Sequence, residues 1–189
     1  MNAVKLLVAI FVVNLFAIAG AVYAFAPTYN SYQNLELKKV SIQKPNSDMP
    51  NLIIGKPVRL IIPSAKIDIE VIDGSYNSVT KNWTLSDDKA HFALMSSEAN
   101  NMAGNTFIYG HNSRKVFAPL YRAKLGDIAT VKTGNGKTFN YKLLYTKEVS
   151  PEDVSVFEYK GKSILTIQTC KGSWYDKRKL FIFEFAGVN

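Results

Sequence analysis

The sequence predicts an all-β domain, a closed barrel or sandwich, carried behind an N-terminal membrane-spanning helix. Three observations lead there. Residues 6–26 form a continuous apolar run whose one strongly polar residue is Asn14. From residue 56 onward, apolar runs of strand length recur between Gly, Pro, Asn and Asp, as in a sheet-built domain. In that same part of the chain, helical signals are confined to two short stretches, 115–122 and 152–157. Many short strands with few helices close as barrels or sandwiches.

The first element is the apolar run. At about 20 residues it matches the length an α-helix needs to cross a bilayer core. Lys5 and the terminal amine lie on its short side, so residues 1–5 are expected in the cytoplasm and the remainder outside. Tyr23 and Tyr29 suit the far interface, and Pro27 stops the helix. A cleavable signal peptide has a shorter apolar core and a small-residue site, for which Val22-Tyr23-Ala24 offers only a weak match. A buried soluble helix would show a polar face, and residues 6–26 show none. The reading is therefore an uncleaved single-pass anchor in the cell membrane, with the rest of the chain extracellular.

Residues 27–55 are polar, with Pro27, Pro45, Pro50 and Gly55, and are expected to form a stalk. The domain is expected over 56–189. Within it, 58–62 is an apolar run ended by Pro63, and 67–72 alternates as IDIEVI, a half-buried strand. A short buried run at 106–109 leads into Gly110-His111. Strands at 128–133 and 137–149 flank Gly134-Asn135-Gly136, a hairpin signal. Two further strands, 163–170 and 179–186, are rich in Ile, Leu and Phe.

Composition narrows the function classes. The net charge of +8 comes from 23 basic and 15 acidic residues scattered without a dense Arg/Lys run, so a solvated basic surface is expected and no nucleic-acid partner. There is one cysteine, Cys170, which excludes an intramolecular disulfide and a multi-Cys zinc site. A lone thiol outside the cytoplasm needs an account.

A free cysteine is commonly an inert core residue. Cys170, however, ends the strand LTIQTC (165–170) and precedes a polar loop, where catalytic side chains tend to stand. His111 ends another strand, after a glycine that permits close backbone approach. The other histidine, His91, has no such setting and is read as structural or surface, so its replacement is expected to be tolerated. Arg178 enters the last strand, and alternation puts it on one face with Leu180, away from Lys177 and Lys179. The short loop 171–177 would bring Cys170 and Arg178 together.

This trio has a chemical logic. The thiolate attacks, and an ordinary cysteine titrates near ~8.5. A nearby imidazolium favours the thiolate and can protonate a leaving amine. A guanidinium stabilises a developing oxyanion or holds the peptide backbone. No carboxylate is obligatory, and Asp127 and Asp176 are left without a role.

These pieces resemble the sortase family. LTIQTC (165–170) resembles its TLxTC strand end, and KRKLF (177–181) its arginine before the last strand. GNTFIYGH (104–111) resembles the strand that carries the family histidine, and FAPL (117–120) with LGD (125–127) the run that follows it. PVRLIIP (57–63) resembles the opening strand. The resemblance spans about 57–186 in the family's order.

It implies an eight-stranded closed β-barrel with short helices and a groove ending at the cysteine. It further implies a cysteine transpeptidase that cleaves a C-terminal LPxTG-like sorting signal and passes the acyl group to an amine on a cell-wall precursor or a pilin. His111 would be the acid/base, Cys170 the nucleophile and Arg178 the oxyanion or substrate clamp. No cofactor is expected. Some members use Ca²⁺, for which Asp87, Asp88 and Glu98 are possible ligands, though three scattered acids are weak evidence.

Two other readings are open at this point. One is a cysteine endopeptidase in which water resolves the thioester. The other is a membrane-tethered barrel that only binds. A cell-wall L,D-transpeptidase is not favoured, because the Ser-x-Gly-Cys arrangement expected there is missing.

Overall fold

The computed structural model describes residues 51–80, 82–172 and 176–189. The expected cytoplasmic segment, membrane helix and most of the stalk, residues 1–50, lie outside the described residues. Among the described residues no helix is long and apolar enough to cross a membrane.

The described chain opens with β1 (Ile54–Gly55) and β2 (Pro57–Ile62). A 3₁₀ turn, Pro63–Ala65, follows, closed by Lys66, whose left-handed φ of 55° lets its N–H reach the Pro63 carbonyl at 3.0 Å. This turn sets the register of β3 (Ile67–Gly74), in which Ile67 faces Ile62 across the pair. Alternation then works as the sequence implies, with Ile67, Ile69 and Val71 buried and the intervening acids exposed.

Next come the short pair β4 (Tyr76–Asn77) and β5 (Asn82–Trp83), then β6 (Ala90–Ala93), β7 (Ala99–Asn100) and β8 (Asn105–Tyr109). A second 3₁₀ turn spans Ala118–Arg122. The hairpin β9 (Ile128–Thr133) and β10 (Thr138–Val149) turns at Gly136, whose φ of 80° suits glycine. A one-turn α-helix, Ser155–Glu158, precedes β11 (Ile164–Lys171) and β12 (Lys177–Val188).

Eight of these strands close into a barrel in the order β10-β12-β11-β8-β6-β3-β2-β9. Closure removes free sheet edges. β1 pairs with β7, so the chain is already joined to the folded domain at Ile54 and Gly55. Seven of the barrel strands coincide with runs anticipated from sequence. The eighth, β6, was not anticipated. Its four residues, AHFA, are all buried and show no alternation to read.

The core has two parts. One fills the barrel, with Leu60, Ile108, Tyr141, Ile167, Phe181 and Phe183 among its members. The other lies on the outer surface of β6, β8 and β12, where Ala93, Phe107, Tyr109, Leu180 and Ile182 pack against Val156 of the one-turn helix. Each fully buried large side chain of this kind contributes roughly 1.5–3 kcal/mol. The split follows strand alternation, so odd-numbered residues of β8 and even-numbered residues of β12 face outward.

Candidate active site

The ends of β8 and β11 and the start of β12 lie side by side. β11 runs antiparallel to β12, and Cys170 is the direct cross-strand partner of Arg178. β8 runs parallel to β11 on its other side, with Tyr109 level with Gln168. One residue further, the Gly110 N–H still donates to the Gln168 carbonyl at 3.2 Å. The Thr169 hydroxyl donates to the Gly110 carbonyl at 3.1 Å. These two bonds hold the chain entering His111 against the chain entering Cys170.

Alternation also assigns a common face. Phe107 and Tyr109 point outward, so His111 continues that row. Gly110 faces the interior, since a Cβ built on it would stand 2.7 Å from Val116 and 3.2 Å from Phe117, both interior residues. On β12, Leu180 and Ile182 are outward, and Arg178 shares their face as the sequence predicts. On β11, Leu165 and Ile167 fill the interior while Ile164 packs outside, which puts Cys170 outside too. With neighbouring strands about 4.8 Å apart, His111 and Arg178 flank Cys170, one on each side.

All three are half-buried, and Cys170 is a free thiol. A Phe117 N–H bond to the His111 carbonyl, 3.1 Å, closes the loop beyond the histidine. The Arg178 guanidinium donates to the Lys177 carbonyl at 3.3 Å, and Val149 of β10 is its partner on the side away from Cys170. The Glu152 carboxyl titrates below its usual range, chiefly through the Ser150 hydroxyl and, less strongly, through the charge of Arg178.

On the opposite face the barrel mouth is braced. Glu148 pairs with Lys171 and with Lys179, the latter at 3.3 Å, and Lys171 is the main cause of the low Glu148 titration. The Tyr121 hydroxyl lies 3.5 Å from the Cys170 carbonyl.

His91 proves structural. It is completely buried on β6 and stacks on Tyr109 with ring centroids 5.5 Å apart. Its Nδ1 lies 3.3 Å from the Asp73 carbonyl and its Nε2 3.0 Å from the Ser86 hydroxyl. Burial, more than any other cause, lowers its titration. Replacement at such a site costs stability, which the sequence expectation of tolerance did not include.

Asp127 accepts the Lys124 N–H at 2.8 Å and stabilises the turn before β9. Among the described residues no group of three or more His, Cys, Asp or Glu is arranged to hold a metal ion, so Asp87, Asp88 and Glu98 are not gathered into a site. Sequence reasoning did not single out Trp83, Phe157 or Tyr121. Trp83 and Phe157 pack against the outer-face cluster and the Tyr121 hydroxyl approaches the Cys170 carbonyl, with no motif to mark them.

The barrel has known relatives. A family model described as the Sortase domain matches residues 60–184. Among solved structures, sortase A of Listeria monocytogenes is 22% identical, with a TM-score of 0.58 over 70% of this chain and 89% of that one. Sortase E1 from Streptomyces coelicolor, solved with a tripeptide in the active site, is 20% identical, with a TM-score of 0.57 over 71% of this chain and 91% of that one. The sortase C2 of group B Streptococcus pilus island 1 is 22% identical, with a TM-score of 0.57 over 68% and 73%. Identities this low show a shared fold. A search of curated proteins found no match. The family model covers well over half of the sequence, and the chain belongs to the sortase family.

Proposed function

We propose that this protein is a cysteine transpeptidase that cleaves an LPxTG-like C-terminal sorting signal and transfers the acyl product to an amine. The observation that supports the reading is the shared outer face where β8 and β11 end and β12 begins, with Cys170 between the strands that carry His111 and Arg178. The Cys170 thiolate attacks the carbonyl carbon of the scissile bond, and the Arg178 guanidinium stabilises the oxyanion. The amide C–N bond breaks, and His111 supplies the proton to the departing amine. A thioester on Cys170 remains. An incoming amine attacks it, His111 takes the proton, and the thiolate is released.

The acceptor amine would belong to a cell-wall precursor or a pilin subunit. In this reading residues 6–26 anchor the chain in the cell membrane, the N-terminus lies in the cytoplasm and the barrel works outside. No cofactor enters the scheme.

The test is mass spectrometry of products from a sorting-signal pentapeptide library, with and without triglycine. Amine-dependent ligation product, absent in Cys170→Ala, is expected. Hydrolysis unchanged by triglycine would make the protein an endopeptidase. A Cys170 thiol that stays unlabelled in the folded protein would make it a binding barrel.

A further inference from the structure

We propose that the barrel docks on an anionic lipid bilayer through an apolar face on β9 and β10. Leu125, Ile128, Leu144 and Tyr145 meet the lipid, and Arg122 and Lys124 meet the headgroup phosphates. The proposal rests on the reading of residues 6–26 as a membrane anchor.

Strand register builds the face. The β9–β10 ladder reaches the Ile128–Lys142 pair, where Ala129 and Tyr141 fill the barrel and Ile128 and Lys142 point outward. The pairing continues into the turn. The Gly126 N–H donates to the Leu143 carbonyl and the Leu143 N–H to the Asp127 carbonyl, each at 2.8 Å. Leu125 therefore lies beside the stretch Leu144-Tyr145. A β-bulge falls there on the β12 side, since Leu143 pairs with Phe183 and Tyr145 with Ile182. Leu144 is left over, and two consecutive large side chains come to the surface. Leu144 and Tyr145 are each 47% exposed, Ile128 40% and Leu125 71%. Exposed apolar residues standing singly are ordinary, whereas four at one corner form a patch.

The charges around the patch select a negatively charged surface. From His111 to Gly126 there is no acidic residue, and Arg114, Lys115, Arg122 and Lys124 are all exposed. Among the described residues none of these four is in an ion pair. The carboxylates beside the patch are engaged. Asp127 accepts the Lys124 N–H at 2.8 Å, and Glu184 pairs with Lys142 at 2.9 Å. Leucine and isoleucine enter the acyl boundary, tyrosine sits at headgroup level, and cations gain from the surface potential of anionic lipid.

The tether brings the bilayer within reach. Ile54–Gly55 pairs with β7, and Asn135 Nδ2 donates to the Ile54 carbonyl at 2.8 Å. The chain thus joins the barrel at the far end of β9, about 17 Å from Ile128. Residues 27–53 reach at most about 90 Å when extended, long enough for the barrel to lie with this side on the membrane. From Tyr145, β10 runs four more residues, about 13 Å, to Val149, the cross-strand partner of Arg178. Docking therefore holds the thiol near the lipid surface, where a membrane-bound substrate presents its cleavage site.

The test uses the full chain with Cys170→Ala, which leaves no other cysteine, and Leu125→Cys labelled with the environment-sensitive fluorophore NBD. It is reconstituted into vesicles of phosphatidylcholine, or of phosphatidylcholine and phosphatidylglycerol in equal parts. The emission is expected to shift to the blue in the anionic vesicles and not in the neutral ones. Arg122→Gln with Lys124→Gln, or molar salt, should abolish the shift. Leu144→Cys gives a second reading of the same face. NBD on Val79→Cys, 89% exposed in the turn after β4, should stay solvent-like throughout.

Equal emission from positions 125 and 144 in the two kinds of vesicle would overturn the proposal. So would a shift that follows protein density and ignores lipid charge, which would make the face an interface between copies of the chain. Flotation with the neutral vesicles reads the anchor separately. A chain that floats only with anionic vesicles has no anchor and docks through the face. One that floats with neither has lost both readings.

Discussion

Cys170 and Arg178 face each other directly across the antiparallel β11–β12 pair, with both side chains on the outside of the barrel. The relationship is fixed by eight consecutive paired positions, from Ile164 with Glu184 to Lys171 with Lys177, and no register shift interrupts them. A guanidinium so placed is held by sheet geometry, independent of the loop that joins the strands. Arg178→Ala is expected to lower kcat/KM by roughly 10²–10³, as loss of an oxyanion donor does. Arg178→Lys should recover little of it, because a point charge does not reproduce the planar fork. Steady-state kinetics on a sorting-signal peptide measures both.

Removal of the thiol separates chemistry from fold. Cys170 is half-buried at a strand end and lies outside both apolar clusters. Cys170→Ala is expected to abolish thioester formation, while thermal unfolding changes by no more than about 1 kcal/mol. Intact-mass analysis after peptide addition checks the first outcome, and calorimetry the second. Product formation near the parental rate would end the mechanism.

Gly110 is a packing requirement. A methyl group there would press on Val116 at 2.7 Å and on Phe117 at 3.2 Å, side chains that belong to the filled barrel interior. Gly110→Ala should destabilise the domain by about 1–3 kcal/mol through overpacking. Because the same residue leads into His111, peptide turnover should fall further than stability explains. Activity measured well below the melting temperature separates the two effects.

Much of this was legible in the sequence, and the limits have physical causes. The interior strands announce themselves through alternation, as in β3, or through continuous Ile, Leu and Phe runs, as in β11 and β12. Cys170, His111 and Arg178 could be picked out because each stands where a strand meets a loop. Their common face needed the parallel β8–β11 register, which no local pattern encodes. β6 was missed because it is covered on both sides, so His91 loses the polar neighbours that would have marked an inward position. Trp83 was missed because its environment is assembled from residues far away in the chain, Tyr109 and Phe157.

Thr169 links the chain entering His111 to the chain entering Cys170 through one hydrogen bond. Its hydroxyl, 1% exposed, donates to the Gly110 carbonyl at 3.1 Å. Thr169→Val keeps the shape and leaves that carbonyl without its donor. A cost of about 1–3 kcal/mol in unfolding free energy is expected. The spacing between the residues that precede His111 and Cys170 is then less firmly held, so kcat should fall while KM changes little. Thr169→Ser, which keeps the hydroxyl, should restore most of the rate.

His91 gives the domain a pH dependence whose sign follows from its burial. The imidazole titrates below its ordinary value of 6.5 in the folded protein because burial disfavours the cation. Between the ordinary and the depressed values the unfolded chain binds more protons than the native one. Stability therefore rises with pH through that window. The contribution is complete above about 6.5 and is lost as pH falls toward the depressed value. Denaturant titrations at stepped pH should show stability declining below that point. His91→Gln should flatten that part of the curve while lowering stability at every pH, since the Asp73 and Ser86 bonds and the stack on Tyr109 are altered. His91→Ala should cost about 2–4 kcal/mol, from a cavity and two lost polar contacts. Peptide turnover by the fraction that remains folded should stay within a few-fold of the parent, since His91 is fully buried and its ring bonds go to Asp73 and Ser86.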